Sequence, residues 1–278
     1  MPRIDAHAHL WDRSRLHYAW LDAEPDVLRR SFLPADLAPA LDAAGIDEFV
    51  FVQADCADTE ALDEASWLHE LRDLGAPVRA VVAHAPLEAD SLEHLEALAE
   101  LPLVTGVRRL LQGEEPGFAL QPSFVAGVAS LERFSFSFDL CIRDHQLAEV
   151  TELVRQLPGV QFVLDHLGKP TMRPDALCPW AGELATLAQL PNVTCKLSGL
   201  FSEADPARRD PVAVYPWLRH ALDVFGPDRC LFGSDWPVLT AAGSYAGWVD
   251  AVEQALDGDA AGLRSVFGET AARVYPAG

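Results

Sequence analysis

Short apolar runs that alternate with helix-like segments are the feature that most constrains the fold of this chain. Eight such runs are rich in Val, Leu, Ile and Phe, and each is followed by a segment with helical spacing. The runs span residues 3–7, 48–53, 78–84, 104–111, 134–142, 160–166, 192–199 and 229–235. Because strand–helix–strand units place their strands in parallel, this pattern predicts one parallel sheet with helices outside it.

The number of these units favours a closed barrel over an open sheet. Eight strand–helix units in 278 residues close most naturally into a (β/α)8 barrel. An open doubly wound sheet is the alternative, but no Gly-x-Gly-x-x-Gly pattern follows the first strand, where a dinucleotide-binding sheet needs it. No break in composition marks a linker. We therefore predict an α/β protein with a single TIM-like (β/α)8 barrel domain over residues 1–278.

The charge balance and the cysteine content limit the partners and the compartment. The formal net charge of −21 repels nucleic-acid phosphates and anionic lipids. Five cysteines without a Cys-x-x-Cys spacing fit a reducing compartment. The first residues lack the apolar segment of a signal peptide, and no apolar run is long enough to span a membrane. The prediction is a cytoplasmic protein with a small-molecule substrate and without nucleic-acid or membrane partners; a homo-oligomer is left open.

Polar side chains stand at the predicted carboxyl ends of the strands, where barrel enzymes place their active sites. Five of the nine histidines are among them. The candidates are His7, His9, Gln53, His84, Arg108, Arg109, Arg143, His145, His166, Lys196 and Asp235. This concentration of imidazole predicts a site that binds a cation or transfers protons.

Two short motifs carry most of this prediction. His7 and His9 are two residues apart at the end of the first strand, so both imidazoles can reach one metal ion or one substrate group. Asp235 in LFGSDWP follows the last strand and could bind a cation or accept a proton from water. The structural alternative for Asp235 is a cap on the next helix.

Three more strand ends supply candidate groups. His166 ends the sixth strand, where a structural histidine bonded to the backbone is the alternative. Lys196 is an isolated cation in an apolar strand and therefore needs a carboxylate partner or an anionic ligand. Arg108 and Arg109 point to opposite faces of the fourth strand, so only one can enter the barrel mouth. Arg108 is favoured.

Other candidates are supported less directly. Gln53 ends the second strand, while His84 and His145 are equally consistent with a site and with a structural role. Three tryptophans flank the two main motifs, namely Trp11, Trp20 and Trp236. Aromatic walls suit a sugar-like or cyclic substrate, although core packing explains each of them equally well.

Taken together, the motifs resemble those of the amidohydrolase-related lactonases. The matching segments, in order over residues 3–275, include RIDAHAHLWD, FLPADL, GVRRLLQ, FDLCI, DHLGKP, KLSG and LFGSDWP. That family includes lactonases that act on L-fucono- and L-rhamnono-lactones and on 2-pyrone-4,6-dicarboxylate. The resemblance implies a TIM-like barrel that hydrolyses a cyclic ester, with Asp235 as the general base. It also implies that His7, His9 and His166 surround the reacting carbonyl or a single divalent ion.

The chain departs from the metal patterns of the wider family. Binuclear members use a carboxylated Lys or a Glu at the fourth strand, where this chain has Arg108 and Arg109. Mononuclear members have a His at the end of the fifth strand, where this chain has residues 139–142 and His145 follows too late. Some relatives work without metal. We therefore expect at most one divalent ion, such as Zn²⁺, or none. The ligands would be His7, His9 and Asp235.

The predicted activity is the hydrolysis of a sugar-acid lactone by water. Asp235 and His166 are the predicted catalytic residues, because one would remove the water proton and the other would help to stabilise the oxyanion. The predicted substrate-binding residues are Arg108, Lys196, Gln53, His84, Trp11 and Trp236. No nucleophile elbow of the Gly-x-Ser-x-Gly type is present, which disfavours an acyl-enzyme. The alternatives are a metal-dependent decarboxylase on the same barrel and a non-catalytic barrel that binds a sugar acid.

Overall fold

Eight parallel strands form one sheet in chain order in the computed structural model, which confirms the predicted barrel. The structure describes residues 1–89, 91–173, 177–206 and 209–278. The strands are β1 (Ile4–Ala8), β2 (Glu48–Val52), β3 (Val78–Ala83), β4 (Val104–Val107), β5 (Ser137–Leu140), β6 (Phe162–Leu164), β7 (Val193–Leu197) and β8 (Cys230–Phe232). All carboxyl ends therefore meet at one rim.

The chain just after β8 returns to β1 and nearly closes the barrel. The backbone N–H of Asp235 donates to the carbonyl of His7 at 2.8 Å, and that of His9 donates to the carbonyl of Trp236 at 2.7 Å. These bonds continue the ladder beyond the end of β8. As a result, the segment after the last strand places the Asp235 carboxylate directly beside His7 of β1 and His9, which follows β1.

Helices connect the strands and pack against the sheet. They are α1 (Pro34–Ala44), α2 (Ala61–Asp73), α3 (Leu92–Ala99), α4 (Pro122–Ser130), α5 (Leu147–Gln156), α6 (Leu177–Leu187), α7 (Leu200–Glu203), α8 (Pro211–Phe225), α9 (Tyr245–Ala255), α10 (Ala260–Arg264) and α11 (Thr270–Val274). In α5, Leu147, Val150 and Val154 are buried, as their helical spacing predicts. Among the described residues, no helix combines the length and apolar character that a membrane crossing needs.

Alternate strand residues form two separate apolar clusters. Phe49 and Phe51 of β2 belong to the outer cluster between sheet and helices, whereas Val50 and Val52 belong to the cluster inside the barrel. Tyr275, which follows α11, is fully buried in the inner cluster. The inner positions change from apolar to charged toward the carboxyl ends of the strands, so the charged groups lie between this cluster and the rim.

Several strands are shorter than the sequence predicts. The runs 104–111 and 134–142 contain the observed strands β4 and β5, but their last residues leave the ladder. Those residues enter the loops at the carboxyl rim, where Arg108 and Leu110 line a cavity. An apolar run therefore predicts the strand but not the residue at which pairing ends, because apolar side chains are buried on both sides of that point.

Candidate active site

His7, His9 and Asp235 converge at the carboxyl end of the barrel. The two imidazole Nε2 atoms lie 3.1 Å apart. Asp235 Oδ1 lies 3.4 Å from Nε2 of His9 and 3.6 Å from Nε2 of His7. Tetrahedral ligands at roughly 2.0 Å from a zinc ion stand about 3.3 Å from one another. The three buried atoms therefore have the spacing of ligands on one divalent ion.

The Nδ1 atom of each imidazole has partners that determine whether it donates or accepts a hydrogen bond. Nδ1 of His9 lies 2.7 Å from the carbonyl oxygen of Val52. Because a carbonyl only accepts, His9 carries its proton on Nδ1 and keeps a lone pair on Nε2. Nδ1 of His7 faces both a donor, Lys196 Nζ, and an acceptor, Asp165 Oδ1, each at 3.2 Å.

His7 is consequently accommodated in both neutral tautomers. With its proton on Nδ1, the ring faces the Asp165 carboxylate, and its Nε2 is free to bind a cation. With the proton on Nε2, Lys196 donates to Nδ1 and His7 donates to Nε2 of His9. The same pocket thus suits a metal-bound and a metal-free His7.

A buried group of charges lies beneath the first histidine. Lys196 Nζ lies 2.5 Å from Asp139 Oδ2 and 3.0 Å from Asp165 Oδ1. Arg108 Nη1 lies 3.1 Å from Asp165 Oδ2, and the Tyr275 hydroxyl donates to Asp139 Oδ2 at 2.7 Å. Lys196 therefore has two carboxylate partners, where the sequence analysis required at least one. Two cations face two carboxylates, as a buried charged group requires.

Burial and neighbouring charges fix the protonation of this group. Burial raises the pKa of Asp139 and lowers the pKa of His7 well below its usual value. Burial also acts to raise the pKa of Asp165, but Lys196, His7 and Arg108 together outweigh it and hold that pKa well below the usual range. His7 is therefore neutral near pH 7, which is the form that binds a cation.

His166 and Asp235 face each other on strained backbone. Their φ angles are 52° and 61°, in the left-handed region that costs a non-glycine residue about 1–3 kcal/mol. His166 Nε2 lies 4.0 Å from Asp235 Oδ1, and its Nδ1 lies 2.8 Å from the Ser198 hydroxyl. Strain of this kind is typical of functional sites.

The two side chains carry different charges at neutral pH. Burial lowers the pKa of His166 to about 4. Burial of Asp235 acts in the opposite direction, but the neighbouring imidazoles, His166 first, outweigh it and hold the Asp235 pKa below its ordinary value. A neutral imidazole thus faces an ionised carboxylate.

A cavity of about 290 Å³ opens above these groups. It is at the small end of ligand pockets, with room for a compact ring rather than an extended ligand. Its floor carries His9, Arg108, His166 and Asp235. Its walls combine the apolar side chains of Trp20, Leu110 and Val238 with the polar ones of Gln112 and Lys169. A reacting group at the floor would therefore meet the imidazoles and the carboxylate together.

The two arginines of the β4 end go to different places. Arg108 is buried on the cavity floor. Arg109 points away and pairs with Glu88 and Glu114, each at 2.7 Å. Arg108 is therefore the member of the pair that faces the site.

Lys196 and Gln53 were predicted to bind substrate, and both lie beside the cavity rather than on its surface. Lys196 is fully buried in the charged group beneath His7. Gln53 is also fully buried; its backbone carbonyl accepts from Arg108 Nη2 at 2.6 Å, and its side-chain oxygen accepts from the N–H of Asp55 at 2.6 Å. Gln53 thus contacts two residues that line the cavity, whereas the partners of Lys196 lie beneath it.

The two remaining histidine candidates lie outside the cavity. His84 lines a neighbouring cavity of about 230 Å³, with its Nε2 3.6 Å from Asp58 Oδ1. Burial lowers the pKa of His84. His145 is exposed at the start of the segment before α5, 3.8 Å from the Asp144 carboxylate. The structure brings neither to the group around His9.

Among the tryptophans, Trp20 is the one that lines the cavity. Its Nε1–H donates to the carbonyl of Ala54 at 2.8 Å. Trp11 is fully buried behind it, with ring centroids 5.4 Å from Trp20 and 5.2 Å from Phe32. Trp236 packs on the other side of Phe32 at 5.3 Å. Trp11 and Trp236 thus support the aromatic wall from behind.

Sequence reasoning missed Lys169 and Gln112. Lys169 follows β6, Gln112 follows β4, and the Lys169 ammonium donates to Gln112 Oε1 at 2.5 Å. Lys169 belongs to the DHLGKP segment, but nothing in that segment predicts where its side chain points. The reason is the backbone, since every residue from His166 to Lys169 has a positive φ. The available signal was the rarity of lysine in the chain.

Comparison with known proteins shows which enzymes have sequences similar to this chain. Residues 4–277 match the family model described as Amidohydrolase. An L-fucono-1,5-lactonase of Burkholderia multivorans is 37% identical, with 98% of this chain and 95% of the relative covered. An L-fucono-1,5-lactonase of Burkholderia ambifaria is 32% identical over the same shares of the two chains.

A solved structure shares both the fold and much of the sequence. It is an amidohydrolase from Burkholderia multivorans with bound zinc, 36% identical, with all of both chains covered and a TM-score of 0.90. The group His7, His9 and Asp235 thus occurs in a chain whose structural neighbour carries a zinc ion.

Proposed function

The chain belongs to the amidohydrolase family, and on that premise we propose that it hydrolyses the cyclic ester of a sugar-acid lactone. The observation that carries the proposal is the convergence of His7, His9 and Asp235 on the floor of a ring-sized cavity. The two L-fucono-1,5-lactonases to which the chain is similar over nearly its whole length support the choice of substrate class.

Asp235 is the group that can take the proton of the attacking water. It is ionised at neutral pH, and its Oδ1 lies within 4.0 Å of three imidazoles that can stabilise the proton once it is transferred. A carboxylate with a low pKa is a weak base at rest, but negative charge moves from water to the ester carbonyl during attack and the proton is released as it does so.

Arg108 and His166 are placed to stabilise the oxyanion that forms. Arg108 lines the cavity floor, and within the described part of the chain its buried Nε–H meets no acceptor. His166 is neutral, and the Ser198 hydroxyl can donate to its Nδ1, which leaves a proton on Nε2. Buried donors of this kind act strongly on a developing negative charge because water is excluded.

The donor set also fits a single divalent ion. His7, His9 and Asp235 would hold it, since their ligand atoms have the required spacing and the protonation that binding needs. When bound, such an ion polarises the ester carbonyl and lowers the pKa of water at the site. His166 and Arg108 keep their roles as donors to the substrate.

The proposal is tested by supplying the wild-type protein with a panel of aldonolactones and following the proton that lactone opening releases, with a pH indicator. We expect turnover of at least one sugar-acid lactone above the spontaneous rate. The panel should include an aromatic carboxylate, because carbon dioxide release from it alone would favour the decarboxylase alternative. Thermal stabilisation by a sugar acid without any turnover would favour a binding protein.

A further inference from the structure

Lysine is used in only two places in this chain. The sequence contains two lysines against 19 arginines, so nearly every cation of the protein is an arginine. Lys196 is fully buried beneath His7, whereas Lys169 is partly exposed and lines the cavity. A lysine offers a compact ammonium with three rotatable donors, which the planar fork of arginine cannot replace. One lysine therefore lies beneath the candidate active site, and the other lies on the wall of its cavity.

The backbone that carries Lys169 is strained along a whole turn. The φ angles of His166, Leu167, Gly168 and Lys169 are 52°, 55°, 74° and 48°, and three of these residues are not glycine. The indole N–H of Trp180 holds the turn by donating to the carbonyl of Leu167 at 2.9 Å. This turn brings two side chains, His166 and Lys169, to the same cavity. Backbone strain that persists because packing enforces it is typical of ligand-binding sites.

The Lys169 ammonium joins two loops across the cavity wall. It donates to Gln112 Oε1, which ties the loop after β6 to the loop after β4. Gln112 accepts a hydrogen bond from one of the three N–H donors of Lys169. The side-chain amide of Gln112 adds two further N–H donors to the cavity wall. Leu110, Val238 and Trp20 also line the cavity. The cavity thus offers hydrogen-bond donors together with apolar and aromatic surface.

Building on the proposed lactonase function, we propose that Lys169 and Gln112 bind the ring hydroxyl groups of the substrate and so select polyhydroxylated lactones. A neutral sugar lactone carries hydroxyls around the edge of its ring and C–H groups on its faces, so it can use both the hydrogen-bond donors and the apolar surface of the cavity. Glu24 and Asp55 also line the cavity. Together with Asp235 they outnumber its two cations, Arg108 and Lys169, which disfavours a substrate with additional carboxylates. The chemical class is therefore a neutral polyol ring.

The first experiment compares Lys169→Met with the wild type on two substrates. These are L-fucono-1,5-lactone and δ-valerolactone, which has the same ring without hydroxyls. We expect the ratio of kcat/KM for the sugar lactone to that for δ-valerolactone to fall about 10- to 100-fold, mainly through KM, because a hydrogen bond from a charged group is lost. Gln112→Leu should change the ratio in the same direction. Arg155→Met, which removes an exposed cation of α5, should leave the ratio unchanged.

An equal loss of kcat/KM on both substrates would overturn the inference, because Lys169 would then act on the ester rather than on the hydroxyls. Circular dichroism of each variant shows whether it is folded. If Lys169→Met does not fold, Gln112→Leu alone decides by the same ratio.

The second experiment needs no catalysis. Expression with lysine that carries ¹³C at Cε labels Lys169 and Lys196 and leaves both ammonium groups unmodified. The signal that disappears in Lys169→Met is that of Lys169. We expect a saturable shift of this signal when L-fucitol, an open-chain neutral polyol, is added, with no comparable shift of the Lys196 signal, because Lys196 is fully buried.

The two proposals fail in different ways. A Lys169 shift with L-fucitol but without hydrolysis of any lactone supports the hydroxyl-binding role and contradicts the lactonase function. Hydrolysis of sugar lactones without a Lys169 shift at saturating L-fucitol, and without a change of the substrate ratio in Lys169→Met, overturns the hydroxyl-binding role and keeps the lactonase function. Absence of both hydrolysis and any shift overturns both.

Discussion

The Nε2 atoms of His7 and His9 lie 3.1 Å apart although the two residues are separated by one alanine on β1. Two nitrogen lone pairs cannot face each other at this distance without a proton or a cation between them. The tautomer of His7, set by Lys196 on one side and Asp165 on the other, decides which of the two is present.

The first prediction concerns metal content. Protein purified without chelator should contain no more than about one equivalent of divalent ion, because the two groups of three described residues that could hold an ion share His7. His9→Asn should lower zinc affinity by more than about tenfold, because a ligand is lost. His84→Asn is the matched control, since His84 lies in the neighbouring cavity. Two equivalents, with activity that follows the second, would contradict the single site.

The second prediction concerns the base. Asp235→Asn keeps the size of the side chain and removes the proton acceptor, so lactone hydrolysis should fall by about 10²-fold or more. Metal content is measured on the same variant, because the same change removes a ligand. Asp26→Asn, at an exposed carboxylate, serves as the control. Near-native turnover by folded Asp235→Asn would rule out both roles.

The third prediction concerns the buried charges beneath His7. Lys196→Met should lower the free energy of unfolding by about 3–5 kcal/mol, because Asp139 and Asp165 lose a shared cation. Adding Asp139→Asn removes one of the two stranded carboxylates and should restore part of the loss. Chemical denaturation of the single and double variants measures both values. A double variant that is less stable than Lys196→Met would show that another partner stabilises the Asp139 carboxylate as much as Lys196 does.

The fourth prediction concerns the buried carboxyl of Glu64 on α2. It accepts from the N–H of Ala54 and the hydroxyl of Tyr18, each at 3.2 Å, and burial raises its pKa from 4.5 to about 8. Because the folded-state pKa is raised, its contribution to stability is fully present below pH 4.5 and is lost as the pH rises through about 8.

Glu64→Gln should therefore match the wild type near pH 5 and become the more stable protein at higher pH. The difference in melting temperature at pH 9 should reach about 5 °C or more, since each pKa unit corresponds to about 1.4 kcal/mol. Glu96→Gln, on the exposed side of α3, should show no such trend. A constant difference between Glu64→Gln and the wild type at all pH values would contradict the raised pKa.

The barrel could be predicted because each strand and each helix is recognised from the pattern of its own residues. Each strand is an apolar run, and each helix such as α5 repeats its apolar residues at helical spacing. His7, His9 and Asp235 could be placed together because the carboxyl ends of parallel strands share one rim. These inferences need only the order of strands in the sheet.

The cavity wall could not be predicted, because loop conformation decides it. Lys169 reaches Gln112 through a left-handed turn that contains three non-glycine residues, and no local propensity favours such a turn. Trp11 and Trp20 both follow the His7-Ala8-His9 motif. The sequence does not show that Trp20 lines the cavity while Trp11 packs behind it. The pairing of Lys196 with Asp139 depends on contact between strands β5 and β7 across the barrel interior, which the sequence pattern does not specify.

Tyr275 makes the charged group beneath His7 depend on a distant part of the sequence. Its hydroxyl bonds to Asp139, a residue 136 positions earlier in the chain, and Asp139 in turn holds the lysine beneath His7. During synthesis on the ribosome, all eight strands emerge before this tyrosine, and until then the Asp139 carboxylate lacks one of its two donors. The barrel can therefore assemble its outline early, whereas the charged group beneath His7 is completed by a side chain that emerges after all of the strands.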